Sequence, residues 1–144
     1  MPTVGESAPE FTAPTQTGQP LSLAQLKGHP VVLYFYPQAD TTGCTIEAKG
    51  FRDAYADFRT KGVHVVGVSV DPVEDQAAFA GKYALPFPLI ADTEKTVARA
   101  YGVLNPAGRA RRVTFLIDAG GRIAKVIESR DAAGHVADAR AALL

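Results

Sequence analysis

Val31-Val32-Leu33-Tyr34-Phe35-Tyr36 runs into Pro37-Gln38-Ala39-Asp40-Thr41-Thr42-Gly43 and then Cys44. The first segment is a continuous apolar, β-prone run, the pattern of a strand covered on both faces. The second is a polar turn. Beyond it, Ala48, Phe51, Tyr55 and Phe58 recur at helical spacing and mark one helix face. Gly62 is placed to end that helix. A covered strand that turns into a helix is the unit of an α/β sheet protein. The same junction places the chain's only cysteine at a helix start. Unpaired N–H groups and the positive end of the helix dipole collect there. Both favour the thiolate, which is the reactive form of sulfur.

Working outward, Val63 to Val70 reads as a second buried strand closed by Asp71-Pro72. Val73 to Tyr83 reads as a helix with Glu74 and Asp75 in its first turn. Leu85 to Ile90 is a proline-stiffened turn into a short strand. Thr93 to Tyr101 is a short helix stopped by Gly102. Val113 to Ile117 and Ile123 to Ile127 form strands around the hairpin turn Asp118-Ala119-Gly120-Gly121. Ala132 to Leu144 fits a last helix. At the other end, Phe11 to Leu23 is punctuated by Gly18-Gln19-Pro20 and reads as a short hairpin. Ser22 to Gly28 follows as a single helical turn. The order predicts an α/β fold over residues 1–144: an N-terminal β-hairpin and a central mixed sheet flanked by helices on both faces.

Composition narrows the function. A chain of 144 residues suits one domain and can bury a core without a metal or disulfide. Fifteen basic residues balance 15 acidic ones, so no general attraction to nucleic acid or anionic lipid is expected. No apolar run is long enough to span a bilayer. The start, Met1 to Glu6, lacks the pattern of a signal peptide, and one cysteine makes no internal disulfide. A cytoplasmic location is expected. Nucleotide-binding glycine motifs are absent, and so is the Cys-x-x-Cys pair of a dithiol oxidoreductase. His29, His64 and His135 lack metal-ligand spacing. No cofactor is expected, and His64 reads as a structural strand residue.

A lone cysteine is ordinarily a small buried apolar residue. Here Cys44 follows a polar turn and reads as lying off the stripe of Phe51, Tyr55 and Phe58. The neighbouring residues have ordinary explanations too. Pro37 can end a strand, and Thr41 and Thr42 can cap a helix. Glu47 can be a first-turn acid, and Arg109, Arg111 and Arg112 a solvated loop. Their joint spacing is what these explanations do not predict.

That spacing resembles a family. Pro37-Gln38-Ala39-Asp40-Thr41-Thr42-Gly43-Cys44 is similar to the peroxiredoxin motif Pro-x-x-x-Thr-x-x-Cys. Arg112-Val113-Thr114-Phe115-Leu116-Ile117-Asp118 resembles the family segment whose leading arginine enters the active site. Tyr34 to Pro37 and Thr45 to Asp53 point to the bacterioferritin-comigratory, or PrxQ-like, branch. The resemblance implies a thioredoxin-like fold and a thiol-dependent peroxidase with Cys44 as nucleophile. It implies that Arg112 favours the thiolate and donates to the peroxide, with donors in a fixed planar fork. The Thr41 hydroxyl accepts from peroxide or donates to sulfur. Backbone N–H groups near Gly43 and Cys44 bind a peroxide oxygen. Pro37 covers the site, and Glu47 holds the arginine. Arg109 and Arg111 keep the solvated-loop reading.

The chain departs from many relatives at Lys49, where they carry a second cysteine, and Val73 to Tyr83 supplies none. Thr42 stands where proline is common. The resemblance is therefore to a one-cysteine type. Its oxidised form, a sulfenic acid, must be resolved by an outside thiol: thioredoxin, glutaredoxin, glutathione or a second copy of the chain. A monomer is expected, with a homodimer as the other state. The competing function is a non-enzymatic redox sensor that signals by reversible Cys44 oxidation, and an inert thioredoxin-like binding module is a third.

Overall fold

The computed structural model describes all residues from Met1 to Leu144. Strand β3 (Val31–Phe35) is buried along its whole length and lies at the centre of a five-stranded sheet ordered β5-β4-β3-β6-β7. Its neighbours are β4 (His64–Ser69), parallel, and β6 (Val113–Ile117), antiparallel. Outside them lie β5 (Leu89–Ala91), parallel to β4, and β7 (Ile123–Glu128), antiparallel to β6. Strands β1 (Thr12–Pro14) and β2 (Pro20–Ser22) form the expected hairpin, followed by a 3₁₀ turn at Leu23–Leu26.

The apolar run in β3 serves two cores at once, because successive strand residues point to opposite faces. Val31, Leu33 and Phe35 face a layer that holds the hairpin, the 3₁₀ turn and helix α3 (Thr96–Ala100). Val32 and Tyr34, with Tyr36 beyond the strand end, face helices α1 (Thr42–Thr60), α2 (Val73–Tyr83) and α4 (Ala132–Leu143). The thioredoxin-like arrangement with helices on both faces is as expected.

Strand ends differ from the sequence reading by about a residue, and two helix starts also differ. Helix α3 starts at Thr96, because Thr93 and Glu94 are spent on a turn and Lys95 takes a left-handed φ of 63°. Helix α1 starts well before the first residue of the predicted stripe, so Cys44 lies inside its first turn. At the far end, Gly62 adopts φ 73° just past the helix, as a left-handed terminator does.

Helix α4 reaches α1 through a glycine. A Cβ on Gly50 would lie 2.9 Å from a Val136 methyl. A glycine in mid-helix costs about 1 kcal/mol relative to alanine, and here it lets α4 approach. That approach brings His135 of α4 to the buried side of α1.

Candidate active site

Cys44 is 1% exposed and packs among the residues between sheet and helices, in the cluster that holds Tyr34, Tyr36, Ala48 and Phe51. The reading that placed it off the apolar face is therefore corrected. Residues 44, 47, 48 and 51 share one helix face, and the stripe continues back to the sulfur. Tyr55, counted in the predicted stripe, is half-buried at its edge.

The buried thiol has a cation. Arg112, just before β6, places Nη2 3.5 Å from Cys44 Sγ. Gly43 makes that approach possible, since a Cβ there would lie 2.8 Å from Arg112 Nη2. Gly43 was read from the sequence only as a source of a backbone N–H. The N–H groups of Thr42, Gly43 and Cys44 find no acceptor within the chain, as expected at a helix start.

Arg112 Nη1 donates to Glu47 Oε1 at 2.6 Å, one turn along α1 from the cysteine. Glu47 is fully buried. Burial pushes its carboxyl up to about 8, and the opposing pull of Arg112 is weaker. Arg112 itself is pushed above its ordinary value. Burial works against that shift, and the interactions with Glu47 and Cys44 together outweigh it. Glu47 Oε2 has no hydrogen-bond partner. His135 Nδ1, also fully buried, lies 3.7 Å from it. His135 was read as one of three scattered histidines. Its only sequence signal is a histidine in the first turn of a helix otherwise rich in alanine, and nothing local pairs it with Glu47.

The turn that carries the motif is braced from several sides. Thr41 is the N-cap residue of α1 but makes no side-chain cap bond. Its hydroxyl donates to the Gln38 carbonyl at 2.8 Å. Donation to the sulfur and a side-chain capping role are both corrected by this bond, which leaves the oxygen lone pairs as acceptors. Asp40 adopts a left-handed φ of 60°. Its carboxylate is held by Lys82 Nζ at 2.8 Å and the Tyr83 hydroxyl at 2.7 Å, both from α2. The Ala39 N–H donates to Asp71 at 2.8 Å.

The solvated-loop reading of Arg109 and Arg111 is corrected, since both have partners in the fold. Arg109 donates to the Pro37 carbonyl at 3.4 Å and lies 3.7 Å from Asp71. Arg111 pairs with Glu128 and donates to the Gly102 carbonyl at 3.1 Å. Pro37 follows β3 and borders a cleft of about 540 Å³, together with Asn105, Arg111, Arg112, Glu128 and Arg130. Lys49 is exposed, with Nζ 5.9 Å from the Tyr83 ring centroid. His64 Nδ1 accepts from Arg59 Nη1 at 3.1 Å near the protein surface. No helix is long and apolar enough to cross a membrane.

Fold and site together define a thioredoxin-like protein built around one buried, arginine-paired cysteine. Residues 4–126 match the model of the AhpC/TSA family. The chain belongs to that family, and its relatives are peroxiredoxins of the Bcp and PrxQ type. It is 46% identical over 142 residues to a chain of Coxiella burnetii that carries the name peroxiredoxin bcp, covering 94% of each. The crystal structure of the peroxidoxin BcpB of Mycobacterium tuberculosis superposes with a TM-score of 0.94 at 39% identity, over 99% of this chain and 97% of that one. A bacterioferritin comigratory protein of Xanthomonas campestris, described for its alkyl peroxide reduction activity, superposes with a TM-score of 0.90 at 28% identity, over 98% and 97%.

Proposed function

We propose that this peroxiredoxin reduces hydrogen peroxide and organic hydroperoxides through Cys44. The observation that carries the reading is the Arg112 guanidinium 3.5 Å from Cys44 Sγ, at the start of a long helix. The thiolate attacks one peroxide oxygen. The S–O bond forms as the O–O bond breaks, sulfur gives up two electrons, and the alkoxide or hydroxide takes a proton and leaves. Arg112 and the N–H groups of Gly43 and Cys44 are the donors for the oxygens that gain charge. The Thr41 oxygen accepts from the peroxide O–H. Glu47 orients Arg112 through Oε1, and Pro37 walls the approach.

Because Cys44 is nearly closed off, peroxide enters beside Arg112. Arg112 borders a polar cleft that gives peroxide a way in, and the Xanthomonas relative is described for its alkyl peroxide reduction activity. The product is a sulfenic acid at position 44. With no second cysteine in the chain, an external thiol (thioredoxin, glutaredoxin or glutathione) condenses with it, releases water, and a further thiol restores Cys44. The chain works as one domain over residues 1–144, as a monomer or a homodimer, in the cytoplasm. The peroxiredoxin names of its relatives favour turnover over a signalling cysteine.

The test is peroxide consumption measured against a panel of reductants, with the sulfenic acid trapped for mass spectrometry. Cys44→Ser abolishes consumption, and the trapped adduct maps to residue 44. A Cys44→Ser protein that still consumes peroxide at the wild-type rate rejects the reading.

A further inference from the structure

The buried site holds more anions than cations if every group takes its usual charge. A Cys44 thiolate and a Glu47 carboxylate would share the single cation Arg112, all at least largely buried. A net buried charge is costly, so the protonation of Glu47 decides how much of the guanidinium's charge the sulfur receives.

His135 controls what Glu47 meets. Its Nε2 lies 2.7 Å from the Ser129 carbonyl, which only accepts, so Nε2 carries the proton. Its Nδ1 lies 2.7 Å from Thr114 Oγ1, and in this tautomer the threonine hydroxyl donates to it. Nδ1 therefore faces Glu47 Oε2 at 3.7 Å as an acceptor, with no hydrogen to offer. Oε2, which has no other partner, is left in surroundings that favour a proton on the carboxyl.

We propose that His135 is a positioning residue that keeps Glu47 protonated and uncharged, so that Arg112 is oriented by Glu47 Oε1 yet gives its full charge to the Cys44 thiolate. The inference rests on Cys44 acting as a thiolate nucleophile, as in the function proposed above.

The groups that face the pair come from every element around it. Cys44 and Glu47 lie on α1, Tyr34 on β3, Arg112 before β6, and Asp131 and Asp138 at or on α4. Burial lowers His135 below its ordinary value and Arg112 lowers it further, against the pull of the Ser129 carbonyl and the two aspartates. The imidazole thus stays neutral while burial raises Glu47. Both directions favour a neutral imidazole beside a protonated carboxyl.

Cys44 is the chain's only cysteine, so its alkylation by iodoacetamide reports one thiol. His135→Asn puts an amide within reach of Oε2, stabilises ionised Glu47 and withdraws Arg112 from the sulfur. Alkylation at pH 7.5 then slows about threefold, because that pH lies between the wild-type Glu47 midpoint of about 8 and the lowered one. In the Glu47→Gln background, which has no carboxyl to ionise, His135→Asn has no further effect. A folded His135→Asn protein whose alkylation profile overlays the wild type overturns the proposal, and so do effects of the two substitutions that simply multiply.

Should His135→Asn not fold, the ¹³C carboxyl resonance of Glu47 decides between the outcomes. Its titration midpoint falls by about one pH unit in His135→Gln, where a side-chain amide can donate to Oε2 and favour the ionised carboxyl. An unmoved midpoint overturns the proposal. Neither readout uses peroxide, so the inference and the peroxidase reading fail separately.

Discussion

Gln76 on α2 and Glu47 on α1 are both fully buried polar residues of the helical layer, and the interior treats them differently. Gln76 Oε1 accepts from the Tyr36 hydroxyl at 2.6 Å, and its Nε2 donates to the Ile90 carbonyl at 2.8 Å. A neutral amide with one bond on each side ties α2 to the chain just past β3 and to β5. Glu47 has one satisfied oxygen, one without a partner, a cation on one side and a histidine on the other. Buried polar groups are expected to be paired, and each exception needs a reason. At Gln76 the polar group fastens elements together. At Glu47 the incomplete pairing leaves one carboxyl oxygen without a partner beside the cation of the thiol.

The largest effect expected from this contrast is at Arg112. Arg112→Ala removes the cation at the sulfur and the donors for the peroxide. Stopped-flow oxidation of Cys44 by peroxide slows by about 100-fold or more, the range seen when such donors are deleted. Stability changes far less than for an ordinary broken buried pair, because a Glu47 whose carboxyl is already pushed up to about 8 can stay protonated. Oxidation at the wild-type rate would remove the arginine from the chemistry and leave Glu47 as another architectural group.

The opposite pattern is expected at Gln76. Gln76→Ala strands the Tyr36 hydroxyl and the Ile90 carbonyl and opens a gap between α2 and the sheet. Urea unfolding shows a loss of about 2–4 kcal/mol. The oxidation rate per folded molecule stays within about twofold of wild type. A loss of rate like that of Arg112→Ala would erase the distinction between the two clusters.

Much of this was legible along the chain, and the limits have physical causes. The apolar run of β3, the exact span of α2 and the hairpin between β6 and β7 follow from local periodicity and turn chemistry. So does the strand–turn–helix junction that places Cys44. The partnership of Cys44, Glu47 and Arg112 came from a motif resemblance, and the geometry brings the three together. The side of α1 on which Cys44 lies was misread, because the turn preceding it is polar and the stripe was counted only from Ala48. His135 could not be found from local signals. Its position beside Glu47 depends on Gly50 admitting α4, a tertiary contact that no local window contains. The bracing of Asp40 by Lys82 and Tyr83 is hidden for the same reason.

The contrast also has a pH signature, and its sign can be worked out. Folding raises Glu47 from an ordinary value of 4.5 to about 8, mainly through burial. The folded state therefore binds this proton more tightly than the unfolded chain does. The resulting stability is complete below about pH 4.5 and is lost as pH rises through about 8. His135 is shifted downward from 6.5 by burial. Its contribution is present above 6.5 and is lost as pH falls through its folded value, so it leaves the window between 6.5 and 8 to Glu47. Across that window the unfolding temperature of the wild type falls by roughly 3–5 °C, the size expected for one partly titrating group in a chain of this length. Glu47→Gln flattens the fall. Gln76→Ala lowers the whole curve while keeping its slope, since an amide does not titrate. Thermal unfolding of the three proteins at pH 6.5, 7.0, 7.5 and 8.0 checks this. A Glu47→Gln curve that falls as steeply as the wild type would mean that the partnerless oxygen carries no exchangeable proton, and that the two clusters differ in bonding but not in chemistry.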